Sequence, residues 1–80
     1  MNSDHAYREA IIEIKKYNNI ELDLLKEENK TSKFVFKNQD FFKIVDIDKK
    51  GSTVKISITI AWIDDTGPSS IKVNSIKKIA

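Results

Sequence analysis

The strongest constraint on the fold is the alternation of apolar and polar residues over residues 52–63. Every second position is apolar, and these positions are Val54, Ile56, Ile58, Ile60 and Trp62. Successive side chains of a β-strand point to opposite faces, so this segment has one continuous apolar face. Its β-branched residues also suit a half-buried pleated surface. The segment therefore predicts a central strand, and a length of about 40 Å at about 3.3 Å per residue predicts that it bends.

The length of the chain, 80 residues, predicts one domain spanning residues 1–80. A domain this small buries only about 60% of its unfolded surface, so we expect modest stability. The sequence has no cysteine, which excludes disulfides and thiolate metal sites and favours a cytoplasmic location. The polar first ten residues do not resemble a secretion signal, and no apolar run reaches the length of a membrane span.

Charge is distributed unevenly along the chain, although the net charge is only +2. Residues 1–32 hold five Lys or Arg and seven Asp or Glu, whereas residues 33–80 hold nine Lys and five Asp. The second part is therefore +4, a mild bias that favours an acidic partner and is weak for a dedicated nucleic-acid binder. Frequent Ile and Lys beside a single arginine, Arg8, indicate an AT-rich genome, as in low-GC bacteria and their phages.

A helix is predicted over residues 3–17 because apolar residues recur there at helical spacing. The predicted apolar stripe consists of Tyr7, Ala10, Ile11, Ile14 and Tyr17. Ser3 or Asp4 can cap the start of this helix, and the two asparagines at positions 18 and 19 can end it. A helix this short is marginal alone in water, so we expect it to dock on a sheet.

The remainder of the chain, residues 20–79, predicts an antiparallel β-sheet. Strands are expected over residues 20–26, 33–37, 41–48 and 52–63, with polar turns between them. The tail is ambiguous, because Ile71 and Val73 alternate like a strand whereas Ile76 and Ile79 have the spacing of one helical turn. We favour a strand over residues 70–73, a tight turn at Asn74 and Ser75, and a last strand over 76–79. The predicted fold class is α+β, with the N-terminal helix packed on a strongly bent antiparallel sheet of about five strands, an SH3-like or Sm-like barrel.

Two short patterns carry a family resemblance: residues 44–48 read I-x-x-I-D and residues 75–79 read S-I-x-x-I. With the helix ahead of them, they resemble the YolD-like proteins of low-GC bacteria and their phages over residues 10–79. YolD-like proteins usually also carry an extension ahead of the helix that these residues do not show. The resemblance implies a small non-catalytic accessory protein that partners DNA-damage-response machinery. The loops at 48–51 and 74–75 do not match the RNA-binding motifs of Sm-like rings, so no RNA-binding residue is carried over.

Candidate metal ligands are sparse in this sequence. Asp46, Asp48 and Gly51 begin like a calcium loop, but Lys50 occupies the third ligand position and Ser57 replaces the bidentate glutamate. We therefore interpret this segment as a hairpin turn, in which glycine supplies a positive φ. No metal site and no cofactor are expected.

Candidate catalytic residues are equally sparse. His5 is the only histidine and falls in the first helical turn, where it has no predicted nucleophile beside it. Asp64 and Asp65 are neighbours at the end of a strand, so their side chains point apart and cannot share a proton. Gly51 and Gly67 stand alone and form no phosphate-binding loop. We expect no enzymatic activity.

The strongest functional signal is lysine interleaved with aromatic residues over 33–37 and 41–43. Such segments form stacking platforms for single-stranded nucleic acid, although the favoured interpretation is that Phe34, Phe36 and Phe42 fill the core. Phe41 and Phe42 are adjacent and must face opposite ways, so at least one is exposed or lies in a second packing layer. Beside Val35, an exposed ring could form a partner-binding patch.

We therefore predict a small protein-binding accessory or inhibitor protein, of the kind that phages and mobile elements encode, that acts through a sheet face or edge. The alternative is a nucleic-acid-binding module that uses the Lys/Phe-rich sheet face. A homo-oligomer built by edge-strand pairing is compatible with either. The lysines are expected on the solvent side of the sheet, and the predicted partner-binding residues are Val35, Phe41, Lys33, Lys37, Lys43 and Lys55.

Overall fold

A computed structural model describes residues 1–19 and 31–78 and shows a helix packed on an antiparallel sheet. The elements are α1 (Ser3–Asn19), β1 (Thr31–Lys37), β2 (Phe41–Lys50), β3 (Thr53–Asp64) and β4 (Gly67–Lys78). The four strands form one sheet in the order β1-β2-β3-β4, with each strand antiparallel to the next. The α+β fold class and the antiparallel sheet are thus confirmed.

The four described strands do not form a closed barrel. Within the described residues β1 and β4 lie at opposite edges of a four-stranded sheet and do not pair with each other, so the sheet is open. The strand predicted over 20–26 lies outside the described residues. The expected five-stranded SH3-like or Sm-like closure is therefore not shown.

The predicted turn at Asn74 and Ser75 is wrong, because β4 is a single twelve-residue strand. Its partner β3 is equally long, so every residue from Gly67 to Lys78 has an opposite residue on β3. Asn74 lies opposite Ser57, and its side-chain oxygen accepts a hydrogen bond from the Ser57 hydroxyl at 2.6 Å. An asparagine that signals a turn in isolation is here held in the ladder by a full-length partner.

A hairpin joins β2 and β3 as predicted, but its turn lies later than the expected residues 48–51, of which only Gly51 is in it. Lys50 pairs with Thr53, so the turn is only two residues long and begins at Gly51. Gly51 has φ 57°, a conformation that a residue without a Cβ adopts at no steric cost. Both Asp46 and Asp48 lie within β2.

The core lies between α1 and the sheet face that carries the predicted apolar alternation of β3. Val54, Ile56, Ile58, Ile60 and Trp62 are all buried, together with Val45 and Ile47 of β2. The register predicted for the central strand is confirmed. Ile71 and Val73 of β4 pack against the margin of this core.

The helix presents a slightly different stripe from the predicted one. Ala6, Ala10, Ile14 and Tyr17 are buried against the sheet, whereas Tyr7 is half exposed. The two alanines are completely buried, and their small side chains let the helix axis approach β3 and β4 closely. Within the described residues no helix is both long and apolar enough to cross a membrane.

Candidate functional site on the outer face of the sheet

The sheet has a second face, which we call the outer face, on the side opposite α1. The register defines it, because directly opposite residues of antiparallel neighbours point to the same side. One row across it consists of Lys37, Phe42, Ala61 and Ser70, and the next consists of Val35, Ile44, Thr59 and Lys72. No other described helix or strand packs on this face.

One end of the outer face is apolar. We call the side chains of Val35, Phe42, Ile44, Ala61 and Ile63 the outer patch. Val35 is 61%, Phe42 47% and Ile63 76% exposed, while the other two members are half-buried between the strands. Contiguous exposed apolar groups on a small domain mark interaction sites more often than scattered single ones do.

The outer face is also basic. Its strand positions hold six lysines and two aspartates, a net charge of +4. The lysines are Lys33, Lys37, Lys50, Lys55, Lys72 and Lys78. Both aspartates are directly opposite lysines: Asp46 opposite Lys33, and Asp48 opposite Lys55.

Two lysines flank the outer patch without an acidic residue opposite them. Lys37 on β1 is opposite Phe42, and its Nζ lies 5.7 Å from the centre of that ring. Lys72 on β4 is opposite Thr59 and is exposed. The patch is therefore bracketed by one cation at each edge of the sheet.

An open cleft of about 480 Å³ adjoins the outer patch at the end of the sheet. Its walls include Lys37, Phe42 and Ile63 from the outer face and Phe41 and Trp62 from the core side. The first hairpin closes one side of it, where the Asn38 N–H donates to the Phe41 carbonyl at 2.9 Å. The exposed apolar surface thus continues from the outer patch into this cleft at the end of the sheet.

The structure places four of the six predicted partner-binding residues together. Val35, Lys33, Lys37 and Lys55 are all exposed on the outer face, as the alternation along β1 and β3 predicts. Lys43 and Phe41 are on the other face. The solvent-side orientation predicted for Lys43 is wrong, and the exposed member of the two adjacent phenylalanines is Phe42 and not Phe41.

Lys43 points toward the helix because it shares a face with Val45 and Ile47 along β2. Its Nζ donates to Glu13 Oε2 at 2.8 Å, and only 18% of its side chain is exposed. The same ammonium lies 5.2 Å from the centre of the Phe36 ring. Lys43 is thus part of the contact between the helix and the sheet.

Phe41 also faces the helix side, since it pairs with Trp62 and packs against the core. Its neighbour Phe42 pairs with Ala61 and is the exposed member of the pair. Counting the alternation back from Val45 along β2 would have assigned both phenylalanines correctly. Sequence reasoning missed Phe42, Ile63 and Lys72 as outer-face residues.

The fold separates the lysines of β1 from the phenylalanines of β1 that the stacking-platform hypothesis combines. Phe34 and Phe36 of β1 are on the helix side, where Phe34 stacks on Tyr17 with ring centres 6.2 Å apart. Lys33 and Lys37 are on the opposite side of the same strand. Within β1 the lysines and phenylalanines therefore lie on opposite faces, and lysine meets an aromatic ring only across strands, as Lys37 does with Phe42 and Lys43 with Phe36. The expectation that Phe34, Phe36 and Phe42 fill the core is wrong, because their exposed fractions are 40%, 42% and 47%.

Asp64 stabilises the last hairpin rather than forming a carboxylate pair with Asp65. Its Oδ1 accepts hydrogen bonds from the Thr66 hydroxyl at 2.6 Å and the Thr66 N–H at 2.9 Å. Its Oδ2 accepts from Trp62 Nε1 at 3.2 Å. These donors, the Thr66 hydroxyl foremost, hold the pKa of Asp64 below its usual value. Both oxygens of this carboxylate thus accept hydrogen bonds within or beside the turn.

Within the described ranges, 1–19 and 31–78, no group of three or more His, Cys, Asp or Glu side chains could hold a metal ion. His5 is exposed in the first turn of α1, where its backbone N–H donates to Asn2 Oδ1 at 2.8 Å. No protein-family model, curated protein or solved structure matches the chain. The similarity to YolD-like proteins therefore stays a prediction.

Proposed function

We propose that this protein is a small non-catalytic accessory or inhibitor protein that binds another protein through the outer face of its sheet. The observation that carries the proposal is the outer patch, an exposed apolar surface on the side of the sheet opposite the helix and the buried core. Removing those side chains from water favours association, because each buried Å² of apolar surface contributes about 25 cal/mol.

The composition of the outer face suits a protein interface. Phe42 and Ile63 provide apolar anchors beside a cleft, and Lys37 and Lys72 lie at the rim. Interfaces of this kind gain most of their affinity from a few central apolar or aromatic residues, whereas rim charges govern partner choice and association rate. The backbone around the patch is paired in the sheet, so binding requires little ordering of the chain.

A binding role also agrees with the chemistry of the side chains that share the outer face. They are mainly lysine, serine, threonine and aliphatic groups. Ser57, a buried residue on this face, donates its hydroxyl hydrogen to an amide oxygen and not to a base. Nucleophilic catalysis needs a base within hydrogen-bonding distance of the nucleophile.

The test is capture of partners from a lysate of the cells that encode the protein, followed by identification of the captured proteins. We expect Phe42→Ser and Ile63→Ser each to reduce capture of the same protein about tenfold or more, the loss of a central anchor. Ile12→Ser is the matched control, because Ile12 is 54% exposed on the helix, away from the outer patch. Loss of capture by the control alone would refute a binding role for the outer face.

Nucleic-acid binding is the second candidate, favoured by the excess of lysine on the outer face. Its signature is a steep fall of affinity with salt, since each neutralised phosphate releases counterions. For a single-stranded oligonucleotide, changing Lys33, Lys37 and Lys55 to serine should then reduce the log–log salt slope by about two units. Tight binding with that slope would replace the protein-binding proposal.

A further inference from the structure

We infer that the partner presents an amphipathic helix with acidic residues on both flanks of its apolar stripe, and that this helix lies along β2 and β3 on the outer face. The inference rests on the proposed function and specifies the chemistry of the partner. It follows from three features of the outer face: the direction of the outer patch, the spacing of the two flanking lysines, and the pairing of the aspartates.

The outer patch runs along the two central strands. Phe42 and Ile44 belong to β2, Ala61 and Ile63 belong to β3, and only Val35 extends it toward an edge. From position 59, opposite Ile44, to Ile63 the strand advances by about 13 Å. At 1.5 Å per residue this corresponds to about nine helical residues, or between two and three turns.

The two flanking lysines are spaced to receive a helix between them. Lys37 is on β1 and Lys72 is on β4, three strand spacings or about 14 Å apart across the sheet, and Lys72 lies in the next row along it. A helix with its side chains is about 10–12 Å across. A helix above β2 and β3 therefore fills the space between the two lysines, and acidic side chains on its flanks come within reach of both ammonium groups.

The partner's charge follows from which lysines already face a carboxylate on the sheet. Asp46 and Asp48 lie opposite Lys33 and Lys55, at the end of the outer face away from the patch. Beside the patch, Lys37 and Lys72 lie opposite an aromatic and a hydroxyl residue. A partner with carboxylates on both flanks complements these two cations, whereas a basic flank is repelled.

A helix fits the flat face better than an extended segment does. A strand laid on a sheet face cannot pair its backbone with the sheet, so its N–H and C=O groups are left without partners when water is excluded. A helix satisfies these groups internally and offers one apolar stripe. Packing a helix on each face of a sheet is also a common layered arrangement.

The test uses synthetic stapled helical peptides of about 14 residues, titrated into isotope-labelled protein and followed by amide chemical shifts. The first peptide has leucine at i, i+3, i+4 and i+7 with glutamate on both flanks. The second replaces the glutamates by lysines, the third replaces the leucines by serines, and the fourth breaks the first with two central prolines. We expect the first to bind, with shifts in β2 and β3, at least about tenfold more tightly than any other.

A charge-exchange variant makes the test specific. In the double variant Lys37→Glu, Lys72→Glu, the preference should invert, so that the lysine-flanked peptide binds more tightly than the glutamate-flanked one. An unchanged preference, equal binding of the proline-broken peptide, shifts confined to α1, or no binding by the first peptide in the millimolar range would each overturn the inference.

The failure of this inference is distinguishable from the failure of the proposed function. If Phe42→Ser abolishes capture from lysate while the charge exchange leaves peptide preference unchanged, the outer face binds a partner of other chemistry and the inference alone falls. If Phe42→Ser and Ile63→Ser leave capture intact, the outer face is not the binding surface and both fall. Preferential binding of a poly-dT oligonucleotide through Lys37 and Lys72 would overturn both in favour of nucleic acid.

Discussion

The two faces of the sheet use similar residues for different purposes, and Lys43 and Lys37 show this most clearly. Each lysine has its ammonium over a phenylalanine ring, at 5.2 Å for Lys43 and 5.7 Å for Lys37. Lys43 is largely buried under α1 and paired with Glu13, whereas Lys37 is exposed beside Phe42. The same residue type is a structural contact on one face and a candidate recognition element on the other.

The difference follows from which face the helix covers. On the helix side, the side chain of Glu13 is 5% exposed, and its carboxylate has Lys43 as its close partner, with Lys16 more distant at 4.0 Å. A charge buried this deeply costs several kcal/mol unless it is paired. On the outer face the six lysines are exposed to water, so they contribute little to folding and are available for a partner.

The largest expected effect is a buried charge on the helix side of β3. Ile58→Asp places an unpaired carboxylate at a fully buried position and should cost several kcal/mol, of the order of the whole stability of a small domain. Thr59→Asp, one residue along on the half-buried outer face, should cost only about 1 kcal/mol, because aspartate is a poorer strand former than threonine. Urea unfolding followed by circular dichroism compares the two, and equal effects would mean that the two faces are not distinct.

Breaking the buried ion pair should have the next largest effect. Glu13→Gln leaves the Lys43 ammonium without its carboxylate and should destabilise the protein by about 3 kcal/mol. The double variant Glu13→Leu, Lys43→Met should recover most of that loss, because an apolar pair replaces both ions. Lys16→Met is the control and should be nearly neutral. If the double variant were no more stable than Glu13→Gln, the loss in the single variant would not come from leaving Lys43 without its carboxylate.

The adjacent phenylalanines sharpen the comparison at a smaller scale. Phe41→Ala removes a ring packed against the core and should lower stability by about 2 kcal/mol. Phe42→Ala removes an exposed ring and should cost less than about 1 kcal/mol, yet it should weaken partner capture more. Unfolding midpoints and partner capture are measured for both variants. If Phe42→Ala destabilised the protein more than Phe41→Ala, or if Phe41→Ala weakened capture more, the faces given to the two rings would be wrong.

The smallest effect concerns pH. The lowered pKa of Asp64 means that its ionised form is favoured by folding, through the Thr66 donors first. The contribution of Asp64 to the free energy of unfolding is complete above its unfolded pKa of about 3.9. It is lost as the pH falls through the lower pKa of the folded protein. Asp64→Asn should therefore make the melting temperature fall less steeply below about pH 4. A slope identical to that of the unchanged protein would exclude this contribution.

The core strand was predictable because its signal is local. The alternation from Val54 to Trp62 determines its own faces, and all five apolar positions are buried on the helix side. Ser57 is the one polar position between them that is also buried. The tail was not predictable in the same way, because Asn74 and Ser75 signal a turn locally and are extended only through pairing with β3. Long-range pairing of this kind cannot be read from a short segment.

The candidate site was predictable only in part. Val35 and three of the four lysines follow the local alternation, so their exposure could be foreseen. Phe41 and Lys43 required the phase of the whole strand β2, which Val45 and Ile47 determine. The part of Lys43 in helix docking depends on Glu13, thirty residues away, and no local pattern reveals that contact.

A cysteine footprint tests the assignment of binding to the outer face most directly, because the chain has no cysteine of its own. Single-cysteine variants Ile63→Cys and Ile12→Cys place one thiol on the outer patch and one on the exposed side of the helix. Maleimide labelling rates are compared for the free protein and for the partner-bound protein. We predict that partner binding slows labelling at position 63 by about tenfold or more, because the centre of an interface excludes solvent and reagent. The labelling rate at position 12 should stay unchanged. Protection at position 12 with none at position 63 would contradict it.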